Sequence, residues 1–180
     1  EGSDWEAQGT KIRNSYTTTV APTGTISILA DCSGGIEPMF SLAFNRQVMK
    51  DTNGKPTIMK EVNYVFREEA EKAGYYSEEL VDTLLEKGTL HGIDEVPSEV
   101  QDVFETAHDI TPEWHMRMQA AFQRHCDSSI SKTINFPHDA TAEDVRSIYE
   151  MAIDLDVKGV TVYRDGCREM QPMALKNAEE

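Results

Sequence analysis

Residues 16–35 read YTTTVAPTGTISILADCSGG, and this stretch decides the fold class. Its first five residues are mostly β-branched and predict a strand, which Pro22 ends because proline has no N–H to donate to a ladder. Residues 23–30 predict a turn that opens into a short helix. Gly34 and Gly35 follow as a stop signal, since glycine adopts the left-handed conformation common after helices. The stretch therefore predicts a strand that passes directly into a helix, as in α/β folds.

The rest of the chain continues this alternation of strands and helices. Segments rich in β-branched or alternating residues predict strands at 40–48, 129–136 and 159–163. Apolar residues at helical spacing predict helices over about 61–73 and from the capping residues Ser77, Thr111 and Thr141. Turn and loop signals cover residues 52–56 and 88–98. This order predicts an α/β fold in which neighbouring strands run parallel.

Two of these helices show a clear apolar stripe. The helix from Thr111 carries it at Trp114, Met118, Ala121 and Phe122, and the helix from Thr141 at Val145, Ile148, Ala152 and Leu155. Residues at this spacing lie on one face of a helix, so we expect both faces to pack on a core.

The charge of the chain excludes two classes of partner. The 180 residues include 17 Lys and Arg against 32 Asp and Glu, a net charge of −15. Binding to a nucleic-acid polymer or to an anionic membrane needs clustered basic residues, so neither partner is expected. The acidic residues concentrate between positions 61 and 86, and we interpret them as a solvated helix face. Because the first residue is Glu rather than Met, we expect a fragment, a processed chain or a trimmed one.

The cysteines and histidines do not predict a metal site. Cys32, Cys126 and Cys167 are far apart and form no CxxC pair, which argues against a zinc ribbon or a disulfide framework and favours a reducing, cytoplasmic setting. His115 and His125 lie ten residues apart, at different angles around a helix. We therefore interpret them as surface or hydrogen-bonded histidines rather than as ligands.

The strand-to-helix junction has the chemistry of a phosphate site. The first N–H groups of a helix have no partner within it, and the helix dipole places positive potential there. Gly24 allows a ligand to approach closely, and Thr23, Thr25 and Ser27 offer hydroxyl groups. The junction therefore fits either a phosphate cradle without a lysine or a plain capped turn.

Three blocks of sequence together carry a resemblance to a known family. The first is RNSYTTTVAPTGTIS at 13–27 with CSGGIEP at 32–38, the second HMRMQAAFQ at 115–123 with SISKTIN at 129–135, and the third KGVTVYRDG at 158–166. These blocks resemble the adenosylcobalamin-dependent (class II) ribonucleotide reductases. They occur in the order of the family and together span nearly the whole chain.

The resemblance implies a fold, an activity and a cofactor. The fold is a ten-stranded α/β barrel with an internal finger loop, of which this chain resembles the C-terminal portion. Residues 1–13 would be a polar N-terminal segment, 14–168 the C-terminal part of the catalytic barrel, and 169–180 a polar tail. The implied activity of the complete enzyme is the reduction of ribonucleoside di- or triphosphates by radical chemistry, with adenosylcobalamin as the cofactor.

The resemblance also assigns a role to the strand-to-helix junction. Its expected substrate phosphate site consists of Pro22, Thr23, Gly24, Thr25, Ile26 and Ser27. No catalytic residue is expected in this chain, because the family's radical cysteine and reducing cysteine pair lie upstream of the matching region. We interpret Cys32 as a buried packing cysteine.

The expected partners follow from what the chain lacks. They are a ribonucleoside di- or triphosphate and the N-terminal portion of the reductase, in the same chain or as a separate subunit, with oligomerisation left open. Two alternatives stay open as well. One is a non-catalytic nucleotide- or phosphate-binding module derived from the fold. The other is a structural fragment whose exposed edges require a partner.

Overall fold

A computed structural model describes residues 2, 4–30, 32–50 and 56–167. Its helices are α1 (Asp4–Ala7), α2 (Gly24–Ala30), α3 (Tyr64–Ala73), α4 (Glu78–Lys87), α5 (Ser98–Val103), α6 (Pro112–Gln123) and α7 (Ala142–Asp154). Its strands are β1 (Ala43–Lys50), β2 (Pro56–Val62), β3 (Thr133–Phe136) and β4 (Thr161–Arg164). Most of the predicted turn at 52–56 and the predicted tail lie outside the described residues.

The strands pair into two small sheets. β1 and β2 form an antiparallel hairpin, and β3 and β4 pair in parallel with Ile134 opposite Val162. The β3–β4 pair runs parallel as expected, and α7 provides the crossover between its strands. The antiparallel hairpin contradicts the expectation for β1, because too few residues separate β1 from β2 for the crossover that parallel pairing needs. Within the described residues the sheets do not close into a barrel.

The middle of the chain forms its own core, which we call the hairpin core. It brings together β1, α3 and α4 with the loop that precedes α5, and Phe66 at its centre is fully buried. The Phe66 ring meets Phe104 edge-on, with 5.5 Å between ring centroids. The acidic side chains of α3 and α4 lie on the outside, which confirms the predicted solvated face.

A second core, the sheet core, lies between the β3–β4 pair and the helices α6 and α7. Ile134 and Met116 are fully buried in it, and α7 contributes Ile148 and Ala152. The predicted stripe of α7 is therefore confirmed. The helix begins with a capping box, in which Asp144 N–H bonds the Thr141 hydroxyl oxygen and the Asp144 carboxylate accepts the Thr141 N–H at 2.7 Å.

We expect Thr141→Ala to lower the free energy of unfolding by about 1 kcal/mol, because it leaves first-turn N–H groups of α7 without a partner. Urea denaturation of the chain measures this loss. Ser147→Ala is the matched control, since its hydroxyl bonds the Glu143 carbonyl inside the same helix and its removal should cost much less. Equal losses in the two variants would contradict the role of the cap.

The predicted start of one helix and the first predicted strand are wrong, and β1, β3 and β4 each begin two to four residues later than predicted. Residues 61–62 belong to β2, where they pair with β1. α3 starts only after Asn63, whose side chain accepts the Phe66 N–H at 3.0 Å. The predicted strand at 16–20 is an extended segment without a regular ladder. Two backbone bonds attach it to the chain before β3, from Ser128 N–H to the Thr18 carbonyl and from Ser131 N–H to the Val20 carbonyl. Side-chain bonds between Thr17 and Asp127 add to them.

The predicted stripe of α6 is also wrong. Trp114, Met118 and Phe122 are 64%, 49% and 43% exposed, while the opposite face is buried and largely polar. Its polar side chains are held by backbone carbonyls, since Gln119 donates to Gly159 at 2.7 Å and Gln123 donates to Ser128 at 2.9 Å. Hydrogen bonding of this kind allows polar groups to be buried, and the apolar spacing could not reveal it. No helix in the described part of the chain has the length and apolarity that crossing a bilayer requires.

Candidate functional site

The strand-to-helix junction forms a short loop, residues 20–27, which we call the junction loop. It is anchored at its start, where the Val20 carbonyl accepts the Ser131 N–H at 3.0 Å. The first backbone bond of α2 runs from Ser27 N–H to the Thr23 carbonyl at 2.8 Å. The N–H groups of residues 24–26 therefore precede the first helical bond, on residues that are exposed.

Thr23 holds an unusual backbone conformation at the centre of this loop. Its φ of +53° lies in the left-handed region, where a β-branched side chain is disfavoured by about 1–3 kcal/mol. The Thr23 hydroxyl oxygen compensates by accepting the N–H of Gly35 at 2.9 Å. Strain of this kind is concentrated at ligand sites, because the surrounding structure must maintain it.

Two glycines after α2 pack closely under the junction loop. A Cβ on Gly34 would lie 3.0 Å from the Pro22 carbonyl oxygen and 3.2 Å from the Thr23 hydroxyl oxygen. Gly35 has a φ of +55°, and a Cβ there would lie 3.3 Å from the Ala21 carbonyl oxygen. Side chains at these positions would displace the loop, so its shape depends on both glycines.

Gly24 differs from these two glycines because it faces open space. A Cβ built on it meets nothing within 4 Å. A substitution at Gly24 would therefore fill the space in front of the helix start without disturbing the chain itself.

The structure gathers the six predicted site residues in one turn. Pro22, Gly24, Thr25 and Ile26 are exposed, and Thr23 and Ser27 are partly buried. Of the hydroxyls, that of Thr23 accepts the Gly35 N–H and that of Ser27 donates to the Gly24 carbonyl at 2.9 Å. The interpretation of Cys32 as buried is wrong, since it is exposed. It follows α2, a helix that buries none of its own residues.

Behind the loop lies a polar network that sequence reasoning missed. The Glu37 carboxylate accepts the Thr133 N–H at 3.1 Å, across 96 residues of sequence. Lys132 is 2% exposed, and its Nζ lies 2.8 Å from His115 Nδ1 and 2.5 Å from the Thr133 carbonyl oxygen. His115 is buried too, with Nε2 3.0 Å from the Ala107 carbonyl oxygen. His115 is therefore a hydrogen-bonded histidine, which is one of the two roles predicted for it.

Burial shifts the pKa values of both side chains in this pair. Desolvation lowers the pKa of His115 to about 4, with the nearby Lys132 charge adding to the effect. Desolvation also lowers the pKa of Lys132, while the Glu37 charge opposes the change. Because a carbonyl accepts only, the His115 proton lies on Nε2, and Nδ1 is free to accept from Lys132.

We expect the chain to lose stability on acidification through His115. Its folded-state pKa is about 4, below the ordinary value of 6.5, so only the unfolded state gains the proton between these pH values. The free energy of unfolding should fall as the pH drops from 6.5 to 4, by at most about 3 kcal/mol. Urea denaturation across this range measures it.

Two histidine variants test the assignment of this acid sensitivity. His115→Gln should remove most of this loss, whereas His125→Gln, at an exposed site, should keep it. A wild-type pH slope in His115→Gln would show that another group is responsible.

Comparison with known proteins gives the chain its family. The model of the ribonucleotide reductase barrel domain matches residues 3–163. The chain belongs to this family. A vitamin B12-dependent ribonucleoside-diphosphate reductase from Thermoplasma acidophilum is 52% identical over 178 residues, 99% of this chain. A protein with the same name from Mycobacterium tuberculosis is 46% identical over 162 residues, 90% of this chain. The chain spans 22% of the length of each of these relatives.

A solved structure agrees with the barrel assignment. The chain matches the class Id ribonucleotide reductase alpha subunit of Actinobacillus ureae with a TM-score of 0.65 and 23% identity, over 81% of this chain and 26% of that one. This likeness supports the fold alone. The family match thus confirms the resemblance, and the chain is an α/β fragment of the reductase barrel.

Proposed function

We propose that this chain is part of a vitamin B12-dependent ribonucleotide reductase and supplies the loop that binds the substrate phosphates. The observation that carries the proposal is the junction loop itself. A strained Thr23 and two close-packed glycines hold an exposed helix start in place, in a chain of the reductase barrel family. The relatives named as B12-dependent reductases support the activity.

The proposed binding relies on local groups rather than on net charge. The N–H groups of residues 24–26 would donate to phosphate oxygens, and the hydroxyl of Thr25 would add a donor, whereas the Ser27 hydroxyl already donates to the Gly24 carbonyl. A chain with a net charge of −15 can bind an anion in this way, because field strength at a helix start depends on the nearest dipoles. Binding the phosphates would position the ribose for chemistry performed by residues outside this chain.

Adenosylcobalamin is the cofactor proposed for the complete enzyme, where it would supply the radical when bound. We assign no residue of this chain to it. Two surface pockets, of about 410 and 380 Å³, are open, and the larger is lined by Arg124, Asp154 and Lys158 among others. Charged side chains of this kind do not favour the apolar ring of the cofactor. The proposal therefore assigns the cofactor to the rest of the barrel.

The partner proposed for this chain is the remainder of the barrel, in the same chain or as a separate subunit. The exposed face of α6 at Trp114, Met118 and Phe122 supports this, because large apolar side chains on one face usually pack against another element. The exposed Ile28 and Leu29 of α2 form a second such surface.

A chimeric reductase tests the proposed function. This chain replaces the matching segment of the Thermoplasma acidophilum relative, and deoxyribonucleotide formation is measured with and without adenosylcobalamin. We expect cobalamin-dependent product at a rate within about tenfold of the parent enzyme. A folded chimera without product would contradict the proposal.

A nucleotide-binding module without catalysis is the second candidate. It is favoured by one observation, namely that contacts within the chain already hold the junction loop, through Ser131 and Gly35. Titration calorimetry of the isolated chain with ribonucleoside di- and triphosphates separates the two candidates. Micromolar binding together with an inactive chimera would favour the module.

A further inference from the structure

The buried pair Lys132 and His115 is a feature that the proposed function does not use. Burying an amino group costs free energy unless its N–H groups find hydrogen-bond acceptors. Lys132 has two such acceptors, His115 Nδ1 at 2.8 Å and the Thr133 carbonyl at 2.5 Å. The Ala107 carbonyl fixes the far side of the histidine ring at 3.0 Å. The tip of the lysine side chain is thus bonded to α6 through His115 and to the neighbouring Thr133 of its own segment.

The residues on either side of Lys132 hold the junction loop. Ser131 N–H bonds the Val20 carbonyl at 3.0 Å, at the start of the loop. Thr133 N–H bonds the Glu37 carboxylate at 3.1 Å, just after the glycines that pack under the loop. In an extended chain alternate N–H groups point to the same edge, so these two bonds face the loop while the Lys132 side chain leaves the backbone in a different direction.

The contact continues from Glu37 to the strained residue of the loop. Glu37 N–H bonds the Gly34 carbonyl at 3.0 Å, and the next residue, Gly35, donates to the Thr23 hydroxyl oxygen at 2.9 Å. The two sides of the loop therefore depend on the placement of residues 131–133. That placement in turn depends on where the Lys132 side chain is held.

We propose that Lys132, held by His115, is a positioning residue for the substrate phosphates: it fixes residues 131–133, which hold both sides of the junction loop. This rests on the proposed function of the loop. An apolar side chain at position 132 would fill the same space but would leave His115 Nδ1 buried without its donor. The 131–133 segment would then shift to find water or other donors, and the loop would shift with it.

The test compares Lys132→Met and Lys132→Arg in the chimeric reductase. We expect Lys132→Met to raise KM for the ribonucleoside diphosphate at least tenfold and to change kcat less than threefold, because binding is lost and the chemistry lies elsewhere. Lys132→Arg keeps a donor at the tip of the side chain, so its KM should rise less than that of Lys132→Met. Leu84→Ala, in the hairpin core, is the control for general destabilisation and should leave KM unchanged.

Each outcome decides the inference. A wild-type KM in folded Lys132→Met overturns it, as does an equal rise of KM in Leu84→Ala. If Lys132→Met does not fold, His115→Leu removes the partner of the lysine, and a wild-type KM in that folded variant overturns the inference in the same way. Gly24→Val in the same series separates the two proposals. If only Gly24→Val raises KM, Lys132 has no positioning role. If neither variant raises KM, the assignment of the junction loop as the phosphate site is wrong.

Discussion

Gly24→Val should reduce kcat/KM of the chimeric reductase for ribonucleoside diphosphates at least 100-fold, equivalent to about 2.7 kcal/mol of transition-state stabilisation. A Cβ at Gly24 meets nothing within 4 Å in the protein, so the valine would occupy only the space where the phosphates are proposed to lie. The unfolding midpoint of the isolated chain should therefore not fall. This separation of binding from stability makes the variant informative.

A graded series strengthens the test at this position. Gly24→Ala adds a single methyl group and should give an intermediate loss, whereas Glu86→Gln, on the solvated face of α4, should give none. Steady-state kinetics with varied diphosphate concentration measure all three variants. A wild-type KM in Gly24→Val, with the variant folded, would remove residues 22–27 from the binding site.

Phe66→Ala should lower the free energy of unfolding of the chain by about 3–5 kcal/mol, because it leaves a cavity at the centre of the hairpin core. Phe66 is fully buried and meets Phe104 edge-on, so both its burial and an aromatic contact are lost. Small domains are stable by only about 5–15 kcal/mol, which makes this loss a large fraction of the total.

Val65→Ala is the matched control for the core variant. Val65 neighbours Phe66 on α3 but is 46% exposed, so we expect a change within about 0.5 kcal/mol. Urea denaturation measures both variants. A loss below about 1 kcal/mol in Phe66→Ala would mean that the hairpin core contributes little to folding.

Local signals in the sequence located most of the helices correctly. Ser77, Thr111 and Thr141 each cap the helix that they were predicted to start, because a cap depends on residues only three positions away. The short helix after Pro22 was predicted for the same reason, although it ends at Ala30, before the predicted stop at Gly34 and Gly35. The parallel pairing of β3 and β4 followed from the order of elements.

Features that depend on distant residues were not predicted. β2 takes residues that read as a helix start, because pairing with β1 outweighs their local preference. The apolar stripe of α6 predicted that this face is buried, but the opposite, polar face is buried instead. Its glutamines donate hydrogen bonds to backbone carbonyls at residues 126, 128 and 159. Within the candidate site, the loop residues were predicted from their own chemistry. The Lys132 and His115 contact was not, since it joins two elements that share no sequence pattern.

The central claim is that the junction loop binds the phosphates of the substrate, and a crystal structure of the chimeric reductase with a bound ribonucleoside diphosphate tests it most directly. We predict phosphate oxygens about 2.7–3.2 Å from the N–H groups of Gly24, Thr25 and Ile26. A diphosphate bound in the barrel with its phosphates away from these N–H groups would contradict the account.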